Sequence, residues 1–268
     1  MPNPVAIDDS KWEIPAHSIE ELAPKKTKYC LVIPVINEGE RIKKELKEIE
    51  AAGICDRVDV IIADGGSKDG SVLPEFLREM RVRTLMTKTG PGKLSAQLRM
   101  AYAYALKEGY EGIVTIDGND KDGVEEIDDV VRELEAGIDF VQCSRFVPGG
   151  RAINTPKTRL IAIKLLHAPI LSLAARFHFT DTTNGFRGYS SKCLLDPGLQ
   201  PFRDIFSSYE LLAYTTVRIP RLGYKCKEIA CERRYPDDGT VPTKISPLSG
   251  NAEVFKVMLR AATGKYNP

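Results

Sequence analysis

Between residues 29 and 145 the chain alternates short, continuously apolar runs with charged amphipathic stretches, and no other feature restricts its fold as much. "YCLVIPVI" (29–36), "VDVIIAD" (58–64), "VRTLMT" (82–87), "GIVTID" (112–117) and "DFVQCSR" (139–145) are strand-length and rich in β-branched residues. Helical patterns at 37–53, about 71–80, 93–109 and 123–137 separate them, and Gly53 and Gly109 stand at two C-terminal ends. A run with no polar alternation has no solvent face, so these strands must be covered on both sides. Strands alternating with helices imply parallel pairing through right-handed crossovers, an α/β doubly wound sheet. Ligands of such sheets bind beyond the carboxyl ends of the strands. The polar clusters fall at those ends: Asn37–Glu38, Asp64–Asp69, Asp117–Asp122 and Arg145.

The second half is less regular. Residues 156–179 read as helices interrupted at Pro169, more readily a core helix than a membrane span, with an interfacial helix as the alternative. "GFRGYS" (185–190) is a short extended piece, "YELLAYTTVRIP" a helix, and "YKCKEIACERRY" (224–235) a strand. A Pro/Gly-rich loop and a closing amphipathic helix (248–268) follow, while residues 1–27 read as a loose leader. The two halves differ in charge. Residues 1–139 hold 19 basic and 28 acidic residues, net −9; residues 140–268 hold 19 and 9, net +10. A basic second half suits an anionic partner, whether phosphate, nucleic acid or a membrane surface. The six cysteines form no CxxC pair, so they read as buried free thiols of a reducing compartment.

"VTIDGNDKDG" (114–123) places Asp117, Asn119, Asp120 and Asp122 at the end of a strand. Carboxylates that close disfavour one another's charge unless a cation compensates. A divalent metal with a phosphate-bearing ligand is one answer, and a solvated acidic turn is the other. A calcium loop is excluded, because Asp122 takes the position that needs glycine. "GPGKLS" (90–95) fails the P-loop pattern at Thr87 and Leu94. Its glycines still precede a helix N-terminus, which leaves Lys93 as a candidate diphosphate contact.

Seven segments in order, "VIPVINEGERI", "IIADGGSKDGS", "GKLSAQLRMAYAYA", "VTIDGNDKDGVEEI", "VQCSRF", "TDTTNGFRGYSSKCL" and "YKCKEIACERRYPDDGTVPTK", resemble family 2 glycosyltransferases of the GT-A fold. Within that family they look closest to the dolichol-phosphate mannose synthase and polyprenyl-phosphate glycosyltransferase branch. The resemblance covers roughly residues 28 to 245. It implies a Rossmann-like, mostly parallel sheet with helices on both faces and a less regular acceptor half. The nucleotide-sugar half would span about 28–145 and the acceptor half about 146–247.

The resemblance implies residue roles as well. Pro34, Val35, Asn37 and Glu38 would line the base pocket; Asp64 would hydrogen-bond the base, in a turn whose glycine is Gly66. Asp117, Asn119 and Asp120 would hold Mg²⁺ or Mn²⁺, with Asp117 also facing the ribose. Asn119 replaces the family's second aspartate, and Lys121 stands where the branch often has glutamine. Arg145, Arg187, Arg233, Arg234 and Lys244 would grip an acceptor phosphate, and Arg145, Arg187 and Arg234 would serve catalysis. Asp181 or Glu210 would be the base if the acceptor were a hydroxyl. The implied activity is inverting hexose transfer from GDP- or UDP-hexose to polyprenyl phosphate, by an enzyme peripheral to the cytoplasmic membrane face with no nucleic-acid partner. A hydroxyl acceptor and a non-catalytic nucleotide-sugar-binding module remain the alternatives.

Overall fold

The computed structural model describes residues 7–238 and 249–268, which leaves Lys244 outside the described residues. In chain order, β1 (His17–Glu21), β2 (Tyr29–Val35), α1 (Glu40–Ala51), β3 (Asp59–Asp64), α2 (Pro74–Glu79), β4 (Val82–Lys88), α3 (Leu94–Lys107), β5 (Gly112–Thr115), α4 (Glu126–Glu135) and β6 (Phe140–Ser144) form the alternating half. Then follow β7 (Arg151–Ile153), α5 (Lys157–Ala162), α6 (Ala168–Ala175), β8 (Arg187–Ser190), α7 (Ser191–Leu194), α8 (Glu210–Arg221), β9 (Cys226–Ala230), β10 (Glu232–Arg234) and α9 (Ser249–Ala262).

An eight-stranded sheet runs β1-β4-β3-β2-β5-β8-β6-β9, and β10 pairs with β7 in a second, small sheet. The stretch β4-β3-β2-β5 is parallel. Every residue of β2 is buried. Its alternate side chains go to opposite faces, as the period of two requires. Cys30 and Val32 join Ile61, Ala63 and α3 on one face; Leu31 and Ile33 join Ile62, α1 and α4 on the other. The chain leaves β2 toward β3 and β4, then crosses back to β5. The strand order therefore reverses between β2 and β5, and the crevice beyond their carboxyl ends is where such a sheet takes a ligand.

Two expectations change. The supposed loose leader supplies edge strand β1, antiparallel to β4, and Trp12 packs on Phe202 with ring centroids 4.1 Å apart. The closing helix α9, as an amphipathic helix should, packs one face into the core through Val257, Met258 and Ala261. Finally, 157–175 is one helical run that Pro169 does not interrupt. A π-helical turn, Ile163–His167, precedes the proline, and the Ala168 N–H reaches back to the Ile163 carbonyl. This wider turn makes room for a ring that would otherwise strike the carbonyl four residues earlier. With mean hydropathy 1.4 the run is long and apolar enough to cross a membrane, and it is only 22% buried. One side of the run, with Leu171 and Ala175, meets the core as the core-helix reading expects, and the other side is exposed.

Candidate active site

The crevice begins at the carboxyl ends of β2 and β3. Pro34 and Val35, expected to line a base pocket, are buried within β2, and the chain reaches the surface only at Ile36 and Asn37. The Asn37 side-chain carbonyl accepts from the Lys68 N–H at 2.8 Å, and the Asn37 N–H donates to Ser67 Oγ. Asp64, 2% exposed, accepts from the backbone N–H groups of Gly66 and Ser67. Its carboxylate thus holds the turn itself, and Gly66 supplies the positive φ of 94° that the turn needs. Glu38 receives a two-pronged contact from Arg41. Gln97, which the sequence did not single out, donates from Nε2 to the carbonyls of Val35 and Ala63, tying α3 to the ends of β2 and β3.

The crowded carboxylates have cations of their own. Arg233 bridges Asp117, at 2.6 Å, and Asp122. Lys44 takes Asp120 at 2.7 Å, so Asp120 does not join Asp117 as expected of a shared metal ligand. Burial raises the Asp122 carboxyl above its ordinary value even against Arg233. At Asp117 burial also raises, but Arg233 and Lys121 prevail and the net shift is downward. Burial, then Arg233, brings the Lys121 amine down to about 7. Among the described residues no group of three or more His, Cys, Asp or Glu converges as a metal site. Two oxygens still fit Mg²⁺ or Mn²⁺: the partly exposed Asp117 carboxylate and Asn119 Oδ1, which is buried with no hydrogen-bond partner among the described residues. Such ions take few protein oxygens when substrate phosphates and water complete the shell.

Glu45 of α1 stands behind this cluster, 0% exposed, with Oε2 accepting from the Asp120 N–H and Oε1 without a partner among the described residues. Burial foremost, then Asp122, pushes its carboxyl well above the carboxylate range. A carboxyl raised on folding binds its proton more tightly in the native state, so its contribution is lost as pH rises above the unfolded value. Glu45→Gln is expected to stabilise the fold at pH 8 and to lose that advantage toward pH 4.5. Urea midpoints across this range check it; a pH-independent difference would contradict the assignment.

The loop 181–187, "DTTNGFR", is the hub of the acceptor side. Arg145 grips Asp181 with Nε and Nη2 at 2.6 and 2.9 Å, and also reaches Thr183. Both partners are buried, yet among the described residues Arg145 Nη1 has no hydrogen-bond partner. Burial works to raise the Asp181 pKa, and the guanidinium overrides it, leaving the carboxyl below its ordinary value. Asp181 is thus an orienter of Arg145 and a poor base. Arg187 corrects the phosphate expectation. It is 1% exposed, and its guanidinium donates to the carbonyls of Asn184, Leu212 and Thr182 and to the Thr216 hydroxyl. Asn184, also missed, accepts from Arg233 at 3.1 Å.

Gly185 closes the hub, since a Cβ there would fall well inside van der Waals contact of Asp117 Oδ1. Gly185→Ala is expected to displace that carboxylate and weaken nucleotide-diphosphate binding about tenfold, the equivalent of one modest hydrogen bond. Titration calorimetry checks it, and unchanged affinity would refute it.

The remaining candidates do not meet this set. Lys93 lies 3.7 Å from Glu253 and against the Tyr209 ring. The Glu210 carboxylate accepts from the Ser208 N–H at the start of α8, a helix-terminal role rather than that of a base. Arg234 is exposed and bonds to Glu232.

With this geometry in place, comparison with known proteins is informative. The model of the family described as "Glycosyl transferase family 2" matches residues 30–195. Polyprenol monophosphomannose synthase of Mycolicibacterium smegmatis is 30% identical over 169 residues, 61% of this chain and 62% of that protein, so the chain spans less than two thirds of that relative. Undecaprenyl-phosphate mannosyltransferase of Micrococcus luteus is 28% identical over 203 residues, 74% of this chain and 80% of that protein. Among solved structures, glucosyl-3-phosphoglycerate synthase from Mycobacterium tuberculosis, in complex with Mn²⁺, uridine diphosphate and phosphoglyceric acid, superposes with a TM-score of 0.60. It is 18% identical and covers 88% of this chain and 78% of its own. That likeness bears out the mostly parallel α/β architecture expected from the strand–helix alternation.

Proposed function

Because the chain belongs to glycosyl transferase family 2 and carries its GT-A fold, we propose that it moves a hexose, with inversion, from a nucleotide diphosphate sugar to a polyprenyl phosphate. The names of the two mannosyltransferase relatives support this acceptor class. The observation that carries it is Arg145. Asp181 fixes its guanidinium and leaves one buried nitrogen with no partner among the described residues. A phosphate is the ligand that a fixed, incompletely satisfied guanidinium recognises best. A phosphate nucleophile is already ionised and needs no base, whereas a hydroxyl acceptor would need one that neither Asp181 nor Glu210 is placed to supply.

The donor lies across the ends of β2, β3 and β5, with Asn37, Glu38 and the Asp64 turn on the nucleotide side. Its half spans about residues 28–145, and residues 146–247 form the acceptor half. As the bond to the sugar breaks, negative charge builds on the diphosphate. Arg233 lies beside Asp117 to meet that charge as a fixed cation that costs no reorganisation, and Lys121 adds to it when protonated. A divalent ion held by Asp117 and Asn119 would add Lewis-acid stabilisation of the leaving group. The protein attaches at the cytoplasmic membrane face through α5 and α6. There Ile161, Leu165 and Leu173 are 59, 74 and 82% exposed, beside Lys157, Arg159 and Lys164.

The test is nucleoside diphosphate release from GDP-mannose and UDP-glucose, with and without a short polyprenyl phosphate, in Mn²⁺ and in EDTA. Release with one of the donors that requires the lipid phosphate and is suppressed by EDTA is expected. Release indifferent to the lipid phosphate would refute the acceptor, and lipid-dependent release unchanged in EDTA would refute the metal.

A further inference from the structure

We infer that the cleft between the C-terminal ends of α6, α8 and α9 binds the phosphate headgroup of an anionic phospholipid and so sets the enzyme's orientation on the bilayer. The inference rests on the peripheral membrane attachment proposed above and names a second contact for it.

The cleft has a volume of about 470 Å³. Leu173, Val217 and Ala261 form apolar wall, and Arg176, Arg218 and Arg221 supply the charge. Among the described residues no carboxylate side chain lines it. Arg218 spends its Nε on the Gly198 carbonyl. Arg176 and Arg221 are exposed, and among the described residues neither side chain has a carboxylate within ion-pair distance. Part of this charge answers the three converging helix ends. Each helix C-terminus carries about half a negative charge, roughly −1.5 together, against +3 from the arginines. The surplus of about +1.5 calls for an anion, and a phosphodiester with one negative charge suits it.

The apolar surroundings select the lipid. Leu173 lines this cleft and is 82% exposed, the most exposed large apolar side chain described. It also lines the neighbouring cleft beside Phe146 and Lys164. A leucine dipping into the acyl region would hold adjacent arginines at headgroup depth. Leu173 and Arg176 line both clefts, whereas Arg218 and Arg221, at the far end of the helix that Glu210 begins, line this one and not the cleft beside Phe146.

Flotation of the full chain with phosphatidylcholine vesicles, with and without phosphatidylglycerol, tests the site. The wild type is expected to favour phosphatidylglycerol. Arg176→Gln/Arg221→Gln should bind both vesicles alike, a loss of roughly 30-fold on the anionic ones at about 1 kcal/mol per arginine. Lys157→Gln/Lys164→Gln removes the same charge outside this cleft and should lose less. Equal losses in the two double variants would mean diffuse attraction and overturn the site. Displacement by millimolar glycerol phosphate would mean a soluble ligand and overturn the lipid. Leu165→Glu should weaken binding to both vesicles while keeping the preference; a wild type that binds neither vesicle would instead refute membrane attachment itself, and the site with it.

Discussion

Arg233→Ala is expected to destabilise the fold by about 3–5 kcal/mol, the cost of leaving a buried charge without its partner. Arg233 is 5% exposed and its two partners sit on one loop, with the Asp122 side chain fully buried. In a chain of this size each kcal/mol moves Tm by about 2–4 °C, so a fall of about 10 °C is expected. Asp122 already has a raised pKa with the guanidinium in place, from burial above all. Without Arg233 the carboxyl rises further and stays protonated to higher pH. A carboxyl raised in the native state costs stability as pH rises above its unfolded value, so the deficit should be larger at pH 8 than at pH 5. Adding Asp122→Asn removes the stranded charge and should return part of the loss. Thermal melts of both variants at the two pH values check this. A single variant as stable as wild type would mean that the bridge contributes nothing. A double variant no better than the single would mean that the loss lies elsewhere.

The same bridge shows what the sequence could and could not convey. Apolar runs of strand length separated by helical periods are local signals, and β2 through β6 appeared where they pointed. So did the polar residues at strand ends, because a parallel sheet places every carboxyl end on one edge. That Asp117, Asp120 and Asp122 either meet a cation or form a solvated turn also followed from their spacing. The identity of the cations did not. Lys44 comes from α1 and Arg233 from β10, and only the folded chain brings them to one loop. Residues with no titratable signature were equally silent. Gly185 matters because the loop before β8 presses on Asp117, and Gln97 because α3 runs beneath two strand ends. The exposed helix 157–175 was misread through its proline, since the π turn that accommodates Pro169 has no local sequence rule.

Arg187 is the sharpest case, and its replacement is the other large effect expected. "GFRGYS" reads as a short extended piece, and the family resemblance gave its arginine to an acceptor phosphate. In the fold β8 is inserted antiparallel between β5 and β6, so it is flanked on both edges and covered. The side chain has no route to solvent and must satisfy its donors inside the protein. It does so on three carbonyls and a hydroxyl, joining the 181–187 loop to α8. Arg187→Ala removes these bonds, strands their acceptors and opens a cavity, each a cost of about 1–3 kcal/mol. A loss of about 4 kcal/mol or more is expected, visible as an early urea midpoint. Activity would vanish at assay temperature, which alone would mimic loss of a phosphate-gripping arginine. The two roles separate at low temperature, where part of the variant stays folded. A positioning role predicts reduced turnover with an unchanged KM for polyprenyl phosphate, because the surviving native molecules keep Arg145 and Asp181. A phosphate contact predicts a wild-type urea midpoint and a raised KM, and that outcome would overturn the assignment.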